Sequence, residues 1–340
     1  MFPRTTISFY RYVQLENIQK LRDELFVKWS AMNCLGRVYL AAEGVNAQMS
    51  VPTPIYKLFV QDLYTHECFK DVPIKVAVTE ESESFWKLNI KIKQHILADG
   101  LAADSYDPSD VGRHFTAKDF NEAMDNGAVV IDMRNNYECE VGHFDGAYCP
   151  KGDTFREVLH ESVDKLTADN VDKDQQILTY CTGGIRCEKA SAWLRKNGYK
   201  KVGQLHGGII DYAHQVKKEG LECKYKGVNF VFDGRMAEAI TEDVLGACHH
   251  CGKPCNAHVN CHNKACHLLY IQCEKCQKAH GTYCTPDCRK VGKMSTKQQE
   301  NYRKAAGIEK RAQKASHLNV YNGRRVGSKK LQDAWVGFEG

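Results

Sequence analysis

Cys181 and Arg186 are the residues whose types and spacing first suggest chemistry. They lie in a run, from Ile177 to Trp193, that reads as strand, tight loop and helix. Ile177, Leu178 and Tyr180 are apolar and β-favouring. Gly183 and Gly184 supply the freedom of a sharp loop. Glu188 to Arg195 follows as a helix with Ala190, Trp193 and Leu194 on one face. A cysteine that ends a strand and precedes a helix sits among unpaired N–H groups at the positive end of the helix dipole. Those groups, with the Arg186 charge, favour a thiolate or an anionic sulfur adduct, so Cys181 is expected to be a nucleophile. Cys187 is a candidate resolving thiol for an oxidised Cys181, or a small buried hydrophobe under the loop.

A second concentration of sulfur lies further on. Cys248, Cys251, Cys255, Cys261, Cys266, Cys273, Cys276, Cys284 and Cys288 fall in one short segment. Cys248-x2-Cys251 and Cys273-x2-Cys276 are knuckles of zinc-ribbon spacing. The segment's few aliphatic residues, chiefly Leu268, Leu269, Tyr270 and Ile271, cannot build a core unaided, so metal is expected to stabilise it. Four thiolates per ion give room for two zinc ions. The expected pairing puts Cys248, Cys251, Cys273 and Cys276 on one. Cys255, Cys261, Cys266, Cys284 and Cys288 compete for the other, with His267 as a further candidate. An iron–sulfur cluster is the rival. His143-x-Asp145 is half of a facial triad for non-haem iron, but no second histidine pairs obviously with it. No flavin fingerprint or haem motif is visible.

The elements that must position these residues suggest an α/β protein of several parts. Residues 1–95 read β-α-β-β-α-β, a ferredoxin-like α+β pattern. Its first helix carries Ile18, Leu21, Leu25 and Trp29 at helical spacing, and Pro54 opens a second with Tyr56, Phe59, Val60 and Leu63. Lys87, Lys91 and Lys93 alternate along its last strand as a candidate phosphate-facing stripe. Residues 96–112 form a linker. From 113 to 226 strands alternate with helices, implying a parallel sheet, with Thr116 as the cap of the first helix. Residues 227–290 hold the Cys-rich module, and 291–340 a basic tail.

Composition narrows the class. The chain has 340 residues, 43% hydrophobic and 26% charged, as in a soluble globular protein. No secretory leader and no apolar run of membrane-span length is apparent, so the expectation is a cytoplasmic protein. In that setting its 16 cysteines imply metal and thiol chemistry rather than disulfides. The net charge of +5 is uneven: beyond Cys288 the tail carries +9, leaving −4 on the rest. A basic tail on an acidic body fits a polyanionic partner such as nucleic acid, or a merely solvated tail.

Four residues separate Cys181 from Arg186, one fewer than in the loop with which cysteine phosphatases wrap a phosphate. The loop resembles that of the rhodanese family, whose cysteine carries a persulfide. Val129 to Arg134, Glu138 and Gly142 to Ala147 resemble the rhodanese opening motif, and Leu205 to Gly208 its closing motif. With the preceding ferredoxin-like unit and the terminal cysteine cluster, the order resembles the bacterial rhodanese-domain tRNA uridine 5-hydroxylases from about Ile7 to Cys288. The resemblance implies oxygen-dependent formation of 5-hydroxyuridine at wobble position 34 of tRNA. It implies Cys181 as the active cysteine, with Arg186, Gly183, Gly184 and Arg134 binding substrate, tRNA as partner, and an outside reductant supplying two electrons. Two other classes remain: a sulfurtransferase carrying a persulfide on Cys181, and a non-enzymatic zinc RNA-binding protein.

Overall fold

The computed structural model describes residues 3–79, 83–102, 105–263 and 266–305. The first unit contains β1 (Arg4–Tyr12), α1 (Ile18–Ala31), β2 (Leu35–Ala41), β3 (Gly44–Pro52), α2 (Tyr56–Thr65), β4 (Lys75–Val76) and β5 (Leu88–Ile92). Its sheet runs β4-β1-β3-β2-β5. The first four strands are antiparallel in ferredoxin-like order, and β5 joins β2 in parallel. Because side chains alternate across a strand, Ile7, Phe9, Val38, Leu40, Ala47 and Met49 share one face. That face is buried against Leu25, Trp29, Phe59 and Leu63 of the two helices. The opposite face is polar and aromatic. Pro54 lies in a 3-10 turn, Thr53–Ile55, and α2 begins just after it.

The central unit contains β6 (Arg113–Phe115), α3 (Ala117–Asp125), β7 (Val129–Asp132), α4 (Asn136–Cys139), β8 (Gly142–Phe144), α5 (Phe155–Ala168), β9 (Ile177–Tyr180), α6 (Ile185–Lys196), β10 (Val202–Leu205) and α7 (Gly208–Glu219). Its parallel sheet runs β6-β10-β9-β7. All four residues of β9 are buried, as expected for a parallel strand covered on both faces. Thr116 caps α3, its hydroxyl accepting from the Asp119 amide.

β8 instead pairs with β11 (Tyr225–Phe230), which pairs with β12 (Ala237–Ala239). The Cys-rich segment adds β13 (His258–Asn260), β14 (Leu269–Ile271), α8 (Glu274–His280) and α9 (Pro286–Gly292), followed by α10 (Thr296–Ala305). Leu269 and Ile271 pack against Tyr137, Val141 and Phe230, which seats the module on the central unit. Most of the basic tail, from residue 306 on, lies outside the described residues.

The expectation of thiols without disulfides fails at one place. Cys139 and Cys149 are bonded to each other, their Cα atoms 6.2 Å apart, within the range that a disulfide spans. His143 is beside them, with Nδ1 3.0 Å from the Cys139 carbonyl oxygen. Asp145 turns away to pair with Lys226 at 3.0 Å, so the two do not converge as half of a facial triad.

Candidate active site and metal centres

Cys181 follows β9 directly, and the chain turns through Thr182 and Gly183 into α6. The Gly184 amide donates to Cys181 Sγ at 3.1 Å. Gly184 has φ +97°, and a Cβ there would stand 2.8 Å from the Tyr10 hydroxyl, so both the turn and its neighbour require glycine. Burial pushes the Cys181 thiol pKa up. A hydrogen bond from the Cys187 thiol, the Arg186 charge and the amides of Arg186 and Gly184 outweigh it, bringing the pKa down to about 6. The cysteine is therefore held as a thiolate near neutrality. Cys187 is itself fully buried in the core under the loop, its own pKa raised by burial and by the Cys181 charge. It touches Cys181 as a proton donor.

Arg186 is locked rather than open. Its Nη1 and Nη2 donate to Glu138 at 2.6 and 2.9 Å, and Nη2 also reaches Thr182 Oγ1 at 3.2 Å. Glu138 in turn accepts from the Asn135 amide at 3.0 Å, closing the capping box of α4. The carboxylate thus aims the arginine beside the sulfur. Its sequence signal was its place in the opening motif, which does not by itself reveal this role.

Arg134 departs from its expected role. It is 0% exposed, and its guanidinium is occupied by Asp132 at 2.6 to 3.1 Å, by the Gly142 carbonyl at 2.6 Å and by Tyr225 at 3.3 Å. It lies outside the Cys181 cavity lining. An arginine whose donors are spent on a buried carboxylate and carbonyl braces the β7–β8 connection instead of contacting substrate.

The cavity, of about 310 Å³, has Cys181, Thr182, Gly183 and Arg186 on one side and the polar face of the first sheet on the other. Ser8, Tyr10, Arg37, Asn46, Gln48 and Lys75 come from that sheet, none of them singled out by sequence motifs. The two units are fastened around it. Tyr10 donates to Glu188 at 3.0 Å, and Lys189 Nζ bridges Glu43 at 3.2 Å and Asp99 at 3.0 Å. Lys75 is 5% exposed and its Nζ lies 4.8 Å from the Tyr10 ring centroid. Burial lowers its pKa. Phe232 and Arg235, just past β11, complete the wall.

The Cys-rich module gathers its sulfurs into two sets. In each of Cys248–Cys251–Cys273–Cys276 and Cys261–Cys266–Cys284–Cys288, all ligand atoms lie within 4.8 Å of one another. Cys251 and Cys273 are 3.7 Å apart, and Cys284 is 3.6 Å from both Cys266 and Cys288. A tetrahedron with zinc–sulfur arms of ~2.3 Å has edges of about 3.8 Å. The donor sets therefore fit one tetrahedral ion each, such as zinc, and leave little space for a multi-iron cluster. Cys255 belongs to neither set, against its expected sharing of the second ion. Its sulfur accepts from the Ala257 amide at 3.4 Å and packs beside the Phe230 cluster. His267 likewise joins neither set.

Three known families match the chain in turn. Residues 4–96 match the UPF0176 acylphosphatase like domain, 116–215 the rhodanese-like domain and 226–289 the rhodanase C-terminal family. A Leptospira interrogans protein called tRNA uridine(34) hydroxylase is 51% identical over 304 residues, covering 89% of this chain and 82% of that protein. An Erwinia tasmaniensis protein of the same name is 48% identical over 288 residues, covering 84% and 81%. A Yersinia pestis one is 45% identical over 303 residues, covering 88% and 84%.

Proposed function

The chain belongs to the tRNA uridine(34) hydroxylase family, and from that premise we propose that it is an oxidoreductase converting uridine 34 of tRNA to 5-hydroxyuridine with Cys181 as nucleophile. The observation that carries the cysteine's role is a thiol lowered to about 6 at a cavity wall, with the Gly184 amide on its sulfur. Its thiolate adds to C6 of the pyrimidine, and the C5–C6 π pair moves towards C5 and O4. Dioxygen is taken up at C5, and an external donor supplies two electrons, so that one oxygen stays as the hydroxyl and the other leaves as water. Loss of the C5 proton and expulsion of the thiolate restore the double bond. Arg186, Gly183 and Gly184 shape the loop around the base. Two zinc ions, on the two four-cysteine sets, would brace the module beside the cavity. Among the described residues no helix is long and apolar enough to cross a membrane, and a tRNA substrate makes the cytoplasm the expected site of action.

The test is mass analysis of nucleosides from tRNA incubated with the protein, air and a reductant. Wild type is expected to yield 5-hydroxyuridine, and Cys181→Ser none, because the hydroxyl cannot supply the anion. Undiminished product from Cys181→Ser would sink the nucleophile. A second reading, a persulfide sulfurtransferase, draws on the short loop between Cys181 and Arg186. It predicts sulfur transfer to a small thiol without tRNA, and no dependence on oxygen.

A further inference from the structure

The register of the first sheet lines up a polar face rung by rung. Lys75 pairs with Ser8, Ser8 with Gln48, and Gln48 with Arg37, so one rung crosses from β4 to β2 on that face. The next rung sets Tyr10 beside Asn46, Asn46 beside Tyr39 and Tyr39 beside Lys91. Four strand spacings make the face about 19 Å wide. Its β4–β1 half lies under the Cys181 loop, where Tyr10 and Tyr12 meet Glu188 and the Ile185 carbonyl. Towards β2 and β5 the face emerges from the cavity, and Lys91 and Lys93 are exposed.

This second half has the chemistry of a single-strand binding surface. Arg37 and Lys93 flank the Tyr39 ring at 5.8 and 5.3 Å, leaving a half-buried aromatic between two cations. Arg37 gives Nη2 to Gln48 at 3.3 Å and to the Phe232 carbonyl at 3.1 Å, but its buried Nε has no partner among the described residues. A donor left without a partner on this wall suits a carbonyl oxygen on the edge of a pyrimidine. Aromatic platforms with cations beside them hold single strands by stacking and by attraction to phosphate.

Resting on the reading of tRNA as substrate, we infer that the RNA strand runs over the β3–β2–β5 half of this face. Arg37 meets a carbonyl of the target pyrimidine, the neighbouring base stacks on Tyr39, and the phosphates beyond follow Lys91 and Lys93. The occupant is therefore a single-stranded loop rather than a duplex, whose stacked bases could not reach Tyr39.

The experiment measures binding of a hairpin RNA carrying the anticodon stem and loop to the full chain, across a salt series, with product formation recorded in parallel. Tyr39→Ala is expected to weaken binding by roughly five- to a hundred-fold, the range for removing one ring from beneath a base, whereas Tyr39→Phe keeps it. Lys91→Glu with Lys93→Glu, at exposed positions that the core does not use, is expected to lower the salt slope by about 0.7 for each phosphate no longer neutralised. Wild-type affinity and salt slope in both Tyr39→Ala and the double lysine variant, from protein that does form product, would overturn the face while leaving the substrate standing. Wild type that neither binds nor modifies the RNA would remove the substrate reading, and this inference with it.

Discussion

The Cys181 loop and the Cys248–Cys288 module handle the same atom in opposite ways. In the loop one sulfur accepts from the Gly184 amide and the Cys187 thiol, with Arg186 beside it. Its negative charge is met by backbone and side-chain dipoles, and the lone pair stays available to attack. In the module eight sulfurs stand in two groups of four, each within 4.8 Å. Four thiolates that close repel unless a cation joins them, and ligation consumes the lone pairs that would react. The supports differ too. β9 and α6 rest on a buried apolar core that includes Ile177, Ala190 and Leu194, whereas among the described residues the second cysteine set has the small cluster of Leu268, Tyr270, Val259 and Tyr283 around it. Sulfur supported by a packed backbone can be reactive; sulfur that replaces a core must be tied down.

Metal removal gives the largest expected effect. Structural zinc supplies on the order of 10 kcal/mol in small modules, far more than the module's side chains can replace. A strong chelator should release close to two ions per chain and abolish hydrogen-exchange protection over residues 248–292, with residues 177–196 staying protected. Loss of protection in both at the same chelator concentration would break the contrast, making the loop as metal-dependent as the module.

Next comes the Arg186–Glu138 pair, 8% and 0% exposed in their side chains. Glu138→Gln leaves a buried guanidinium without its counter-charge, at a cost of about 3–5 kcal/mol. The thermal unfolding temperature of this variant should fall markedly, without release of zinc. Gly184→Ala should cost less, about 1–3 kcal/mol for a strained backbone, seen as a lower denaturant midpoint. Unchanged stability would mean that the turn is held less tightly than its φ of +97° implies.

The smallest effect sharpens the contrast most. With a pKa of about 6, Cys181 should alkylate with iodoacetamide at a constant rate above neutrality and progressively more slowly as pH falls through 6, where the thiolate is lost. Cys187→Ala removes a donor that favours the anion, so the midpoint should move to higher pH. Peptide mass mapping would follow Cys181 specifically. A midpoint unmoved by Cys187→Ala would leave the amides and Arg186 as the thiolate's whole support.

Much of the site was legible because its signals are local. Glycines, a β-favouring run and a helix in consecutive residues suffice to place Cys181 at a strand-to-helix turn, since backbone geometry and hydrogen bonding act over a few residues. The two Cys-x2-Cys knuckles were readable for the same reason. Pairing within the module was half legible: one set follows from two knuckles, but Cys255 and Cys261 compete by spacing, and only the fold puts one beside Phe230 and the other beside Cys266.

The sequence by itself determined the order of units, the alternation that makes the first sheet two-faced, and the chemistry available to Cys181. Tertiary structure decided which polar groups that cysteine faces. Arg134 and Arg186 were both expected to bind substrate, yet one is spent on Asp132 and the other stands at the cavity beside Cys181, with Glu138 aiming it. The opposite wall comes from Arg37, Asn46, Gln48 and Lys75, more than a hundred residues away in the chain. Periodicity tells which residues share a face of a strand, because that depends on the neighbours alone. What covers the face depends on how two surfaces from distant parts of the chain dock, and that is settled by contacts such as Tyr10 with Glu188 and Lys189 with Glu43 that no local pattern encodes.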